Sequence, residues 1–142
     1  MNELDFSGKT VLVVGGSSGI GNGMAQAFRR RGASVHVWGT RPTAADYADS
    51  ADSNLEGLAY AQVDVADADA VACAPVPFER LDVLICSQGT VRYNREEFKV
   101  PAFREVVNVN LVSLMACGDK FHDMLAESRG SMIIVSSAAA FH

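Results

Sequence analysis

At 142 residues, with 49% apolar and 20% charged residues, the chain has the composition of one folded domain spanning 1–142 and not that of a disordered segment. A formal net charge of −5 argues against nucleic acid or an anionic membrane as a partner, since both recruit an excess of Lys and Arg. Cys73, Cys86 and Cys117 are odd in number and have no His at ligand spacing, so neither a disulfide framework nor a metal site is expected, and a reducing, cytoplasmic setting fits. The acidic start Met1 to Asp5 lacks the basic region of an export signal, and no apolar run is expected to reach membrane-spanning length.

In chain order, the apolar run Thr10 to Val14 predicts a first strand. The turn Gly15-Gly16-Ser17-Ser18-Gly19-Ile20-Gly21 then opens a helix from Gly19 to about Arg31. Ile20, Met24, Ala27 and Phe28 fall on one face of it, and Gly32 closes it. Arg29, Arg30 and Arg31 lie where a helix carboxyl end attracts positive charge. Further strands are expected at Ser34 to Trp38, Leu58 to Val63, Leu81 to Ile85 and Ser131 to Val135. Between them, Thr43 to Gly57 is rich in small and acidic residues and Ala66 to Arg80 carries Pro75 and Pro77, so the intervening helices should be short or irregular. The longest helix should begin near Pro101, with Phe103, Val107, Leu111 and Leu114 forming an apolar stripe interrupted by Asn110. Continuously apolar strands alternating with helices specify an α/β fold, a doubly wound parallel sheet of Rossmann type truncated after its fifth strand.

The glycine turn carries the chemistry. A pyrophosphate needs backbone N–H groups brought together without side chains in the way, and it gains from the positive end of a helix dipole. Gly15, Gly19 and Gly21, spaced G-x-x-x-G-x-G after a strand and at the start of a helix, supply both, with Ser17, Ser18 and Ile20 between them. This spacing, together with Asp64-Val65, Leu81 to Ile85 with Gly89 beyond, Val109-Asn110-Leu111 and Ile133 to Ser137, resembles the short-chain dehydrogenase/reductases over the whole chain.

The resemblance implies NAD(P)-dependent hydride transfer between a nicotinamide cofactor and a small-molecule alcohol or carbonyl substrate. It implies that Asp64 accepts from the adenine amine with Val65 packed nearby, and that Ser87 and Gly89 lie against the cofactor's ribose. The family's Asn-Asn-Ala-Gly after the fourth strand is here Cys86-Ser87-Gln88-Gly89, in which only the glycine is kept, and Cys86 reads as a packed small side chain. At the end of the second strand Thr40 and Arg41 stand where an acidic residue would hold a ribose 2′-hydroxyl. NADP(H) is therefore favoured over NAD(H). Ser137 takes the place of the family's catalytic serine and Asn110 that of the asparagine supporting its proton relay.

The family's Tyr-x-x-x-Lys pair should lie beyond Ser137, whereas Tyr47, Tyr60 and Tyr93 have no Lys four residues later. These residues alone are thus not expected to form a complete catalyst, and an apolar face should be left bare. Three readings follow: a portion of a longer enzyme, which the retained Ser137 and Asn110 favour; a split protein completed by another chain; or a non-catalytic NADP-binding or assembly module. Relatives often form homo-oligomers through the long helix, and the same is expected here.

Overall fold

The computed structural model describes residues 4–141, so Met1 to Glu3 of the acidic start and the terminal His142 lie outside the described residues. Within them, β1 (Thr10–Val14), β2 (Ser34–Gly39), β3 (Ala59–Gln62), β4 (Val83–Cys86) and β5 (Ser131–Ile134) form a parallel sheet in the order β3-β2-β1-β4-β5. The chain passes from β1 outward to β3, then returns to place β4 on the other side of β1. This reversal leaves a crevice at the carboxyl ends of β1 and β4, where open α/β sheets bind their ligands.

Side-chain alternation divides the core between the two faces of the sheet. Val11, Val13, Val35, Val37, Val83 and Ile85 point to one face and pack against α1 (Gly19–Arg29) through Ala25, Met24 and Phe28. Leu12, Val14, Trp38, Leu84 and Cys86 point to the other. There they meet Val71 of α2 (Ala68–Cys73) and Cys117 and Phe121 of α4 (Ser113–Ser128). Phe121 is fully buried, with its ring 5.7 Å from Trp38 and 6.2 Å from Phe78. Burial of each such side chain contributes about 1.5–3 kcal/mol, which is why strands without polar alternation need helices on both faces.

The helices depart from their expected faces. In α1, Ala25 is buried and Phe28 and Met24 pack on the sheet, but Ile20 is 73% exposed, because the first turn of the helix lies beyond the strand ends. The long helix runs from α3 (Val100–Val107) through a π-helical turn at Asn108–Val112 into α4. The wider turn changes the helical phase. Of the expected stripe, Leu114 packs on the core while Phe103 and Leu111 are exposed; the row facing the sheet is instead Val109, Ser113, Cys117 and Phe121. Within the 29-residue helical stretch Val100–Ser128, one 18-residue window has a mean hydropathy of 1.2, enough for a span by length and composition alone, contrary to expectation. Cys117 and Phe121 nonetheless dock it on the sheet. β5 is exposed along its length.

Strand β4 starts at Val83, two residues later than expected, because Asp82 is used differently. Its carboxylate, 7% exposed, accepts the Thr10 amide at 3.0 Å, Lys9 Nζ at 3.2 Å and the Arg80 guanidinium at 2.7 and 2.9 Å. The Arg80 hydrogen bonds, aided by Thr10 and Lys9 against the opposing effect of burial, hold this carboxyl at a pKa of about 2, below its ordinary 3.8. A carboxyl depressed in the folded state stabilises fully above its unfolded value and loses that contribution as pH falls toward the folded one. Asp82→Asn is therefore expected to lower the unfolding free energy at pH 7 by about 2 kcal/mol, the scale of charge-assisted hydrogen bonds. In urea titrations the gap should narrow below pH 4, about the unfolded pKa of Asp; a constant gap at every pH would show that shape, not charge, matters there.

Candidate functional site

A cavity of about 550 Å³ opens at the carboxyl ends of β1 to β4, within the range of small-ligand sites. Of the residues singled out by sequence, Gly15, Ser17, Ser18, Ile20, Gly21, Thr40, Asp64, Val65, Ser87 and Gly89 line it. Gly19, Arg41, Asn110 and Ser137 are not among its lining residues.

Two contacts make the glycine turn what it is. Gly15 has φ +74°, and a Cβ there would sit 2.8 Å from the Gln88 amide nitrogen. A Cβ on Gly21 would fall on the Gly15 carbonyl oxygen and on Ser87 Oγ, far inside van der Waals contact. Helix α1 is thereby seated against the ends of both β1 and β4. Ser87 completes the contact by donating through its hydroxyl to the Val14 carbonyl at 2.7 Å. Ser18 precedes the first helical residue without using its side chain as a cap, and no acidic residue stands in the first turn. The positive end of α1 therefore faces the cavity with a free hydroxyl beside it.

The outer side of the turn is tied to the segment before β3. The Gly19 amide donates to the Asp52 carbonyl at 2.8 Å and Ser53 Oγ to the Ser17 carbonyl at 2.5 Å. Asn22, 5% exposed, donates to the carbonyls of Gly16 and Asn54 and accepts the Asn54 amide, while Gln26 donates to the Asn54 and Glu56 carbonyls. Two amides inside a helix pattern thus fix the loop that backs the turn.

Asn110 meets the requirement that it be paired. Its carboxamide makes two reciprocal bonds with the backbone of Thr90, accepting the amide at 2.8 Å and donating to the carbonyl at 2.9 Å. It is exposed and not part of a buried stripe, and it acts on the cavity through the Gly89–Thr90 wall. Ser137 follows β5, exposed, and accepts the Ala139 amide at 3.2 Å.

Arg41 turns away from the cavity. Its guanidinium lies 4.5 Å from the centre of the Tyr47 ring and donates to the Asp46 carbonyl and, at 3.0 Å, to Ser50 Oγ. The Tyr47 hydroxyl, just inside, accepts the amides of Thr40 and Arg41. Burial alone would raise its pKa, but hydrogen bonds with Ser17, the Arg41 backbone, Tyr60 and Thr40 outweigh it and bring the phenol below its ordinary value.

Sequence reasoning did not single out Trp38, Thr90 or Gln88 as cavity residues, nor Tyr47 beside them. Trp38 lies near the carboxyl end of β2, and Gln88 and Thr90 follow β4, all on the ligand side of the sheet, a signal that was available. Gln88 stands where the resembled family has alanine, and its carboxamide nitrogen reaches Ser113 Oγ at 2.8 Å while its oxygen is buried without a partner. Cys86, behind it, is fully buried as expected, and among the described residues the three cysteines are unpaired and no group of metal-ligating side chains is present.

A family model described as short chain dehydrogenase matches residues 9–142. The chain is 30% identical to a 3-oxoacyl-(acyl-carrier-protein) reductase of Chlamydia pneumoniae, over 97% of this chain and 58% of that one. It is 28% identical to a 2-dehydro-3-deoxy-L-rhamnonate dehydrogenase (NAD(+)) of a Sphingomonas species, over 94% and 55%. Among solved structures, an NADP active-site complex of RhlG from Pseudomonas aeruginosa superposes with a TM-score of 0.81 at 22% identity, covering all of this chain and 59% of that one, a likeness of fold. The chain thus spans a little over half the length of the relatives it matches.

The seat of α1 can be tested against a neighbour in the same helix. Gly21→Ala is expected to destabilise by about 1–3 kcal/mol through overpacking. Gly23→Ala, exposed and with nothing within 4 Å of the new Cβ, should instead stabilise by about 0.5–1 kcal/mol. Thermal unfolding of the two variants should move in opposite directions, and a shift of the same sign in both would remove the close-contact argument.

Proposed function

Because the chain belongs to the short-chain dehydrogenase family, we propose that it binds a nicotinamide dinucleotide at the carboxyl ends of β1 to β4 and forms the cofactor-binding part of an oxidoreductase. Gly21 carries this reading: without a Cβ it lets α1 meet Gly15 and Ser87, turning the helix's positive end toward the cavity. When bound, the cofactor supplies or accepts the hydride exchanged with an alcohol or carbonyl substrate. Everything else falls to the protein, which binds, orients and excludes water.

In this reading the turn from Gly15 to Gly21 takes the pyrophosphate, with Ser17 and Ser18 hydroxyls at its edge. Asp64 accepts from the adenine amine beside Val65, and Ser87 and Gly89 meet the ribose on the nicotinamide side. Asn110 holds the Gly89–Thr90 wall, and Ser137 hydrogen-bonds the substrate oxygen. Thr40 and Arg41, with no carboxylate before Asp46, favour NADP(H) over NAD(H). Free thiols suit a cytoplasmic protein, and Phe103, Leu111 and Met115, exposed along the long helix, suit self-association.

The alternative of a non-catalytic NADP-binding or assembly module shares the same cofactor site and rests on the want of a Tyr-x-x-x-Lys pair within these residues. Both readings require dinucleotide binding, and Trp38, the single tryptophan, reports on it from the cavity wall. NADPH and NADH should quench its fluorescence saturably, and Asp64→Ala should weaken both by about fivefold, the worth of one hydrogen bond. Arg41→Ala should weaken NADPH selectively; equal loss for the two cofactors would remove the phosphate contact, and no quenching by either would remove the cofactor site.

A further inference from the structure

Tyr47 ends the short 3₁₀ turn Ala44–Tyr47, and only 5% of it is exposed. Its hydroxyl reaches the end of β2, where it accepts the Thr40 amide at 3.2 Å and the Arg41 amide at 3.1 Å. A Cβ on Gly39 would touch both this oxygen and Ser17 Oγ at 2.6 Å, so the phenol stands directly beside a hydroxyl of the cavity wall. A hydroxyl oxygen has two acceptor sites, and here both are filled. Two successive backbone amides converging on one oxygen make the arrangement that elsewhere receives an anionic oxygen.

The guanidinium is engaged by the same residue. Arg41 stacks on the Tyr47 ring, is anchored to Asp46 and Ser50, and has its own carbonyl bonded by the Tyr60 hydroxyl. The ribose 2′ position of a dinucleotide is read at the end of the second strand. The Thr40 and Arg41 backbone amides are thus bound by Tyr47, and the guanidinium is held across its ring with Nη1 on Asp46 and Ser50. Thr40 itself remains on the cavity wall.

We propose that Tyr47 sets the selectivity between NAD(H) and NADP(H), its hydroxyl standing in for an oxygen of the 2′-phosphate at the Thr40 and Arg41 amides. NADP(H) gains those donors only by displacing the phenol oxygen and drawing Arg41 from the ring face. NAD(H), with a hydroxyl at the 2′ position, requires neither. The preference conferred by Thr40 and Arg41 is accordingly held in check by Tyr47. This inference rests on the dinucleotide reading above.

Tyr47→Phe keeps the ring under Arg41 and removes only the competing oxygen. With Trp38 quenching as readout, the ratio of the NADH to the NADPH dissociation constant should rise about tenfold in the variant, as two hydrogen bonds of modest net worth become available to phosphate. A ratio unchanged or lowered overturns the proposal, whereas the failure of both cofactors to bind the unsubstituted chain overturns the dinucleotide reading itself. The unsubstituted chain gives a second measurement that does not depend on the variant folding. Adenosine 2′,5′-bisphosphate should shift the Thr40 and Arg41 amide resonances and AMP should leave them in place; the same response to both nucleotides, or none to the bisphosphate, overturns the proposal.

Discussion

The contact between Gly21 and the ends of two strands is the constraint on which the rest of the molecule depends. Three backbone segments, β1, β4 and the first turn of α1, approach so closely that neither Gly15 nor Gly21 has room for a side chain. That approach closes the buried face made by Ala25, Val13 and Ile85, and it also sets where the amino end of α1 lies relative to the strand ends. Packing and ligand geometry are consequently one arrangement. A loss of fit at Gly21 would be felt in the core and in the cavity together.

Much of the fold was legible because burial on both faces leaves a plain mark. Strands such as Val11 to Val14 and Val83 to Cys86 have no polar alternation, and only a sheet covered by helices on both sides accommodates that. The glycine turn was legible for a related reason, since a strand before it and a helix after it give the spacing its meaning. The long helix was not. A π-helical turn at Asn108–Val112 interrupts the regular spacing, and the stripe is exposed at Phe103 before it and at Leu111 within it. Asn110 was recognised as an amide in need of partners, but the partner, Thr90, came from a distant loop that periodicity does not register. Tyr47 carried no mark at all: its role comes from a hydroxyl meeting two amides across a turn, and backbone amides are the same in every sequence.

The two ends of the sheet do different work. At the carboxyl end, hydroxyls and backbone amides surround an open cavity, and Ser17, Ser18 and Thr40 lie on its wall. At the amino end, Asp82 accepts from Lys9, Arg80 and the Thr10 amide. Charge at the amino end is used for stability, whereas Asp64 and Glu105 stand on the cavity wall at the carboxyl end.

The strand order also bears on how the chain assembles. β1 lies between β2, which follows it after one helix, and β4, preceded by Asp82, which is 72 residues from Thr10. Loop-closure entropy makes the second pairing the slower one, since little is recovered until the distant segments meet. The expected sequence is a half-sheet of β1, β2 and β3 built from near neighbours, to which β4 is recruited later, Asp82 meeting Lys9 and Thr10 as the seam closes. Ser87, Gln88 and Gly89 arrive with β4, so the cavity has no second wall until that step is complete, and ligand binding can reward only chains that have already made the longest connection in the sheet.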